Sequence, residues 1–327
     1  MSYDLFFTFR QPTQRSTVEE YFGRRPHYQL DGSAVYQSRD TGVYFLFEFR
    51  ASEDDPNQLL GASLNVNYFR PHIFGLEAEP EVRAFVEHFQ PGVEDPQMHG
   101  MGQGPYTAEG FLSGWNAGNA FAYEAITAQN KGPFLSYPEA KLEVAWRWNQ
   151  TKSAVQQKLG ESMFVPTIMF ANIGGELQSV VVWGDGIPTL MPPTDAIIVV
   201  RDELAPKPLF RPRTKDTCVI APSDLADLFG PFSEEGYAMP VRVPMYDKPT
   251  RDITKFFSSL RAFNPFFVGE PRDVPAVDQP DQEFRLCAWH RGRWRIARKI
   301  GRNRPVRHYS PLLLSPWMLE SQPRIRR

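Results

Sequence analysis

Cysteine is nearly absent. Cys218 and Cys287 are the only two in 327 residues, and they form no CxxC pair. That excludes a disulfide scaffold and a thiolate zinc ribbon, and it fits two free thiols in a reducing compartment. Long apolar runs are missing as well. No stretch approaches the roughly 20 apolar residues of a membrane helix. Met1-Ser2-Tyr3-Asp4 has neither the basic region nor the apolar core of a secretion signal. The chain is therefore expected to be cytoplasmic, with no membrane association. A net charge of −2 supplies no global field toward nucleic acid or anionic lipid.

Motifs for chemistry are also scarce. The six histidines, His27, His72, His88, His99, His290 and His308, show no HExxH, HxH or HxxxH spacing, so no dedicated metal site and no cofactor are expected. Gly100–Gly104 reads GxGxG, follows a helical pattern and runs into Pro105. A P-loop or a dinucleotide loop needs a strand before it and a helix after it, so a flexible linker is the expectation. Gly160-Glu161-Ser162 is half of a nucleophile elbow and lacks its second glycine. No catalytic residue is assigned, and the chain is read as a non-enzyme. His99, in the glycine-rich stretch, is the one histidine to test as a general base if that reading is wrong.

What the chain does have is clean periodicity. Tyr3, Leu5, Phe7 and Phe9 alternate, as do Val43, Phe45, Phe47 and Phe49, and then Leu64, Val66 and Tyr68. Alternation of this kind predicts half-buried strands. Ser16-Thr17-Val18-Glu19 has the form of a capping box, and Val82, Phe85, Val86 and Phe89 mark one face of a helix over 80–89. Further helices are predicted at about 108–129 and 138–159, with Trp115, Trp146 and Trp148 on them and core packing for the first two. Short strands follow at 165–171, 180–183, 187–191, 196–200, 217–220 and 240–243, with helices after Ser223 and over 253–263. A last hairpin is expected within 284–300. The fold class is α+β: two α+β modules with mainly antiparallel sheets flanked by helices, plus a basic C-terminal segment. The boundaries read as a β-α-β-β-β-α module over 1–95, a Gly/Pro-rich linker over 96–107, a helical pair with a second α+β module over 108–267, and a loop with the basic segment over 268–327.

Charge is unevenly placed. From Arg285 to Arg327 there are twelve Lys and Arg and one acid, Glu320, which leaves 24 of the 36 bases but 37 of the 38 acids in residues 1–284. An acidic body of this kind favours docking of a basic partner. Candidate contacts are the acidic turn Glu53, Asp54 and Asp55, the turn carrying Trp183 and Asp185, and the arginine–aromatic stretch Arg291, Arg293, Trp294, Arg295 and Arg298, because Trp, Tyr and Arg anchor interfaces. Glu77, Glu79 and Glu81 are expected at the positive end of the 80–89 helix.

Met1–Phe7, Tyr21-Phe22 and Asp40-Thr41-Gly42-Val43-Tyr44-Phe45 resemble the opening of bacterial cytosolic proteins of the polymorphic-toxin immunity type. Trp183-x-Asp185-Gly186-x-Pro188 through Pro193-x-Asp195, followed by Ile197–Val200, is similar in the same way. The resemblance covers about 1–70 and 165–205. It implies a protein that binds a cognate toxin and occludes it without cofactor or turnover. It carries over no set of functional residues, and the basic C-terminus is not part of it. The alternatives are a nucleic-acid-associated protein using the Arg-rich end, or an enzyme whose site assembles from distant residues.

Overall fold

The computed structural model describes residues 1–97, 99–129, 137–206, 215–225, 227–237, 239–263, 266–269, 287–290 and 293–296. The fold is α+β. The first module opens with β1 (Ser2–Gln14), α1 (Arg15–Gly23), β2 (Tyr28–Leu30), β3 (Ser33–Gln37), β4 (Tyr44–Ala51), β5 (Gln58–Asn67) and α2 (Ile73–Phe89). Then come β6 (Gly92–Asp95) and β7 (Gly102–Gly104), completing one antiparallel sheet of order β2-β3-β4-β5-β1-β6-β7. One face carries the alternating apolar residues, and its core is aromatic: Phe85 of α2 and Phe22 of α1 pack against each other and against Phe47, and Phe85 also meets Phe7.

Three local expectations change here. β1 continues to Gln14 and α1 starts at once, with no side-chain cap, so Ser16 lies inside the helix rather than before it. α2 begins at Ile73, and Pro80 sits within it rather than at its start, which moves Glu77 and Glu79 from an exposed helix end to buried mid-helix positions. The stretch expected as a flexible linker supplies β7 and folds around Asp95. That buried carboxylate accepts from Tyr3 Oη at 2.6 Å and from the amides of Gln97 and Met101 at 3.0 Å. A Cβ on Gly100 would lie 2.1 Å from the Asp95 carboxylate, so this glycine serves close approach rather than flexibility.

Two long helices follow, α3 (Ala108–Gln129) and α4 (Glu139–Leu159), close to their predicted bounds. Gly110, Gly114 and Gly118 of α3 fall four residues apart and let the helix settle against Met101, Tyr3 and Tyr68. The second module holds β8 (Met169–Ile173), β9 (Glu176–Gly184), β10 (Ala196–Arg201), β11 (Asp216–Ile220), α5 (Arg251–Ser259) and β12 (Phe266–Gly269), with sheet order β11-β10-β9-β8-β12. β9 and β10 run parallel, and the other pairs run antiparallel. The strands expected at 187–191 and 240–243 are isolated bridges, Phe164 with Thr189 and Met191 with Arg242. The helix expected after Ser223 is a 3₁₀ turn over Pro222–Leu225. β13 (Cys287–His290) and β14 (Arg293–Ile296) form the predicted hairpin, with Trp289 opposite Trp294.

α4 joins the modules. Trp146 Nε1 donates to Glu77 of α2 at 2.7 Å, while Trp148 Nε1 donates to the Pro166 carbonyl at 2.7 Å. Asn149 exchanges two hydrogen bonds with the backbone of Ile168. One continuous core consequently runs from Tyr3 to Phe257. The far side of the second sheet carries a separate aliphatic cluster of Ala171, Val180, Ala196 and Ile198. Among the described residues no helix is long and apolar enough to cross a membrane.

Candidate partner-binding surface

The register of the seven-stranded sheet decides which residues reach its second face. Asp4 pairs with Asn65 and Asn65 with Leu46, which faces Val35; Phe6 pairs with Ser63 and Glu94, and Ser63 with Glu48; Thr8 pairs with Gly61 and Gly92, and Gly61 with Arg50. Alternation places all of these opposite the core residues Leu5, Phe7, Phe47 and Leu64. The face is wet. Thr8, Glu48, Arg50 and Glu94 are exposed, Asp4, Val35, Leu46, Ser63 and Asn65 are half-buried, and Phe6, on the interior strand β1, is 42% exposed.

Six inter-strand spacings of about 4.8 Å make the sheet about 29 Å wide, and eight residues of β4 make it about 24 Å long. That footprint approaches the ~800 Å² each partner contributes to a standard interface. Three acids, Asp4, Glu48 and Glu94, face two bases, Arg50 and Arg10, the latter continuing the outward alternation of β1 past the buried Phe9. Asp4 is held by Asn65 Nδ2 at 2.6 Å, and Arg50 donates to Thr8 Oγ1 at 3.0 Å. The face is thus a polar, net-acidic platform around an exposed phenylalanine. Its edge strands β2 and β7 have three residues each, which limits strand addition at the rims.

The residues singled out from the sequence do not gather there. Glu53 and Asp54 are exposed at the β4–β5 turn as expected, while Asp55 shapes that turn by accepting from Asn57 N at 2.9 Å. Trp183 is fully buried against Phe229, Phe256 and Phe257, with its indole N–H on the Ile187 carbonyl at 2.9 Å, so it is a core residue and not a contact. Asp185, at φ 40°, accepts from the backbone amides of Asp202, Glu203 and Leu204 and is committed to holding that loop. Sequence composition marks Trp183 and Asp185 as a turn, and the turn is there, but Trp183 enters the core and Asp185 is tied to the 202–204 backbone. Arg293, Trp294 and Arg295 belong to β14. Arg291 and Arg298 lie outside the described residues. His99 is exposed.

Carboxylates that a sequence scan would flag for chemistry are used as internal ties. Glu77 accepts from Tyr36 Oη, Thr41 Oγ1 and Trp146 Nε1 at 2.9, 2.8 and 2.7 Å. Burial raises its carboxyl above the ordinary range, and the three donors offset part of that shift. At Asp195 burial pushes the same way, but hydrogen bonds from Lys141, Tyr137 and Ser179 outweigh it and hold the carboxyl low. Asp40 receives Ser153 Oγ at 2.6 Å and Lys152 Nζ at 3.3 Å, a further tie from α4 to the first module. Cys218 is buried, and burial raises its thiol, the opposite of a reactive thiolate.

No family model, no curated protein and no solved structure matches the chain.

Sequence reasoning missed the open sheet face because none of its residues forms a motif. The signal was present as the polar half of each alternating strand, Asp4-x-Phe6-x-Thr8 and Ser63-x-Asn65.

Proposed function

We propose that this chain is a cytoplasmic binding protein of the bacterial immunity type, which neutralises a cognate protein toxin by occluding it. The observation that carries the reading is the uncovered, net-acidic face of the seven-stranded sheet with Phe6 exposed on its interior strand β1. An exposed aromatic ringed by polar groups is the usual form of an interface anchor. The surplus of acids over residues 1–284 favours a basic partner, and complementary charge speeds and orients encounter. The resemblance of 1–70 to immunity-type proteins supports the toxin as that partner. Occlusion needs no cofactor and no turnover, only a stable one-to-one complex.

Co-expression with the product of the adjacent gene tests this. The expected result is a one-to-one complex on size exclusion that persists at high salt and is lost in Phe6→Asp. Failure of the two wild-type chains to associate would sink the reading. A complex with nucleic acid in place of protein, released by salt, would transfer the function to the arginine-rich end.

A further inference from the structure

We propose that His72, Glu139 and Glu143 form a three-ligand site for a divalent transition metal of the zinc class, where the amino-terminal ends of α2 and α4 meet. The proposal goes beyond partner binding and stands whether or not that reading holds. Glu139 and Glu143 are one helical turn apart, so both carboxylates leave the same face of α4. His72 immediately precedes α2 and approaches that face from the other module. Its Nε2 lies 3.3 Å from Glu143 Oε1 and 3.5 Å from Glu139 Oε1, and the three ligand atoms fall within 4.8 Å of one another.

The two separations from His72 Nε2 fit a shared cation better than a short hydrogen bond. Ligand atoms about 2.0–2.2 Å from a tetrahedral zinc are about 3.3–3.5 Å apart. A charge-assisted hydrogen bond from an imidazole would draw in to about 2.7–2.9 Å. A single Nε2–H points at one oxygen at a time, whereas both carboxylate oxygens lie at a similar distance from it. A divalent ion between them offsets both charges and takes a neutral imidazole nitrogen as third ligand. One imidazole with two carboxylates suits zinc and its first-row neighbours rather than a soft thiolate-seeking ion.

The supports of the site are also present. Arg147 holds the other oxygen of Glu143 at 2.8 Å, which fixes how that carboxylate is presented. Asn119 of α3 clamps the backbone leading to His72, accepting from Phe69 N at 2.8 Å and donating to the Arg70 carbonyl at 2.7 Å. The three side chains are 13%, 30% and 27% exposed, so an ion can enter without unfolding. A cleft of about 230 Å³ lined by Glu139, Ala140, Glu143, Val144 and Arg147 adjoins them and leaves room for a water as fourth ligand. Histidine spacing conceals the site in the sequence, because the ligands are 67 and 71 residues apart.

The test is zinc titration of the tag-free full-length chain, stripped with chelator and followed by calorimetry. The expected result is one saturable site per chain, with cobalt giving the visible absorption of a four-coordinate ion. Affinity should fall at least about tenfold in His72→Asn and in Glu143→Gln. Circular dichroism checks that both variants fold, and Glu139→Gln, at the most exposed ligand, serves if either does not. No saturable zinc binding by the wild type overturns the proposal. Binding that is unchanged in the folded variants overturns it equally, because the ion would then sit elsewhere.

Discussion

Glu77 gives the sharpest prediction about how the modules are held together. It is buried, and it is the single acceptor shared by Tyr36 of β3, Thr41 of the β3–β4 turn and Trp146 of α4. Glu77→Ala strands three buried donors. At about 1–3 kcal/mol for a donor that finds no partner, and with some relief as the two hydroxyls rotate, the loss is about 3–5 kcal/mol. That is a large part of the ~5–15 kcal/mol that stabilises a typical domain. Glu77→Gln should behave differently. Its carbonyl can accept from Trp146 while its amide donates to the two hydroxyls, so the loss at neutral pH is under about 1 kcal/mol. The pH dependence has a definite sign. Burial raises the folded carboxyl above its unfolded value of 4.5, so the folded state binds this proton more tightly. Wild-type stability therefore declines, relative to Glu77→Gln, as pH rises from about 4.5 through the folded value. Urea unfolding followed by tryptophan fluorescence across that range reads both effects. A Glu77→Ala loss below about 1 kcal/mol, or a wild type that gains on Glu77→Gln as pH rises, would refute the reasoning.

Three further outcomes follow from the same kind of accounting. Asp195→Asn should lower stability at neutral pH, and the deficit should vanish on acidification: the depressed carboxyl contributes fully above the ordinary aspartate value and loses its contribution as pH falls through the folded one, which an acid titration of unfolding checks. Asp185→Val should destabilise by about 2–4 kcal/mol, because it abandons three backbone amides and puts a β-branched residue at positive φ, whereas Asp185→Asn should lose much less; thermal melts compare them. Gly100→Ala should cost about 1–3 kcal/mol by forcing a methyl into the Asp95 carboxylate, measured by denaturant midpoint.

Where side-chain alternation and helical period were strong, the architecture was legible in the sequence. β1, β4, β5, α3 and α4 lie close to where Tyr3–Phe9, Val43–Phe49, Leu64–Tyr68 and the tryptophan-bearing segments put them. Short elements were not legible. β2 and β7 have three residues each, too few to show a period, and β7 is Gly-Gln-Gly, which takes its strand conformation from pairing with β6. The apolar period of Val82–Phe89 marked only the second half of α2, whereas three turn contacts, from Phe74 N to Pro71 O and from Gly75 N and Leu76 N to His72 O, start the helix upstream of Pro80. The candidate surface was half legible. Acidic excess is visible in the sequence, but charge and aromatic content there single out Trp183 and Asp185, whose roles are set by tertiary partners up to 74 residues away in Phe257. The His72–Glu139–Glu143 convergence depends on two helices meeting, and no local pattern encodes that.

The most direct test of the central claim is protection. Cells induced for the neighbouring gene product would be grown with this chain, with folded Phe6→Asp, and without either. The account predicts growth with the wild type and arrest with Phe6→Asp and with the empty control. Full protection by Phe6→Asp, or arrest despite the wild type, would contradict it.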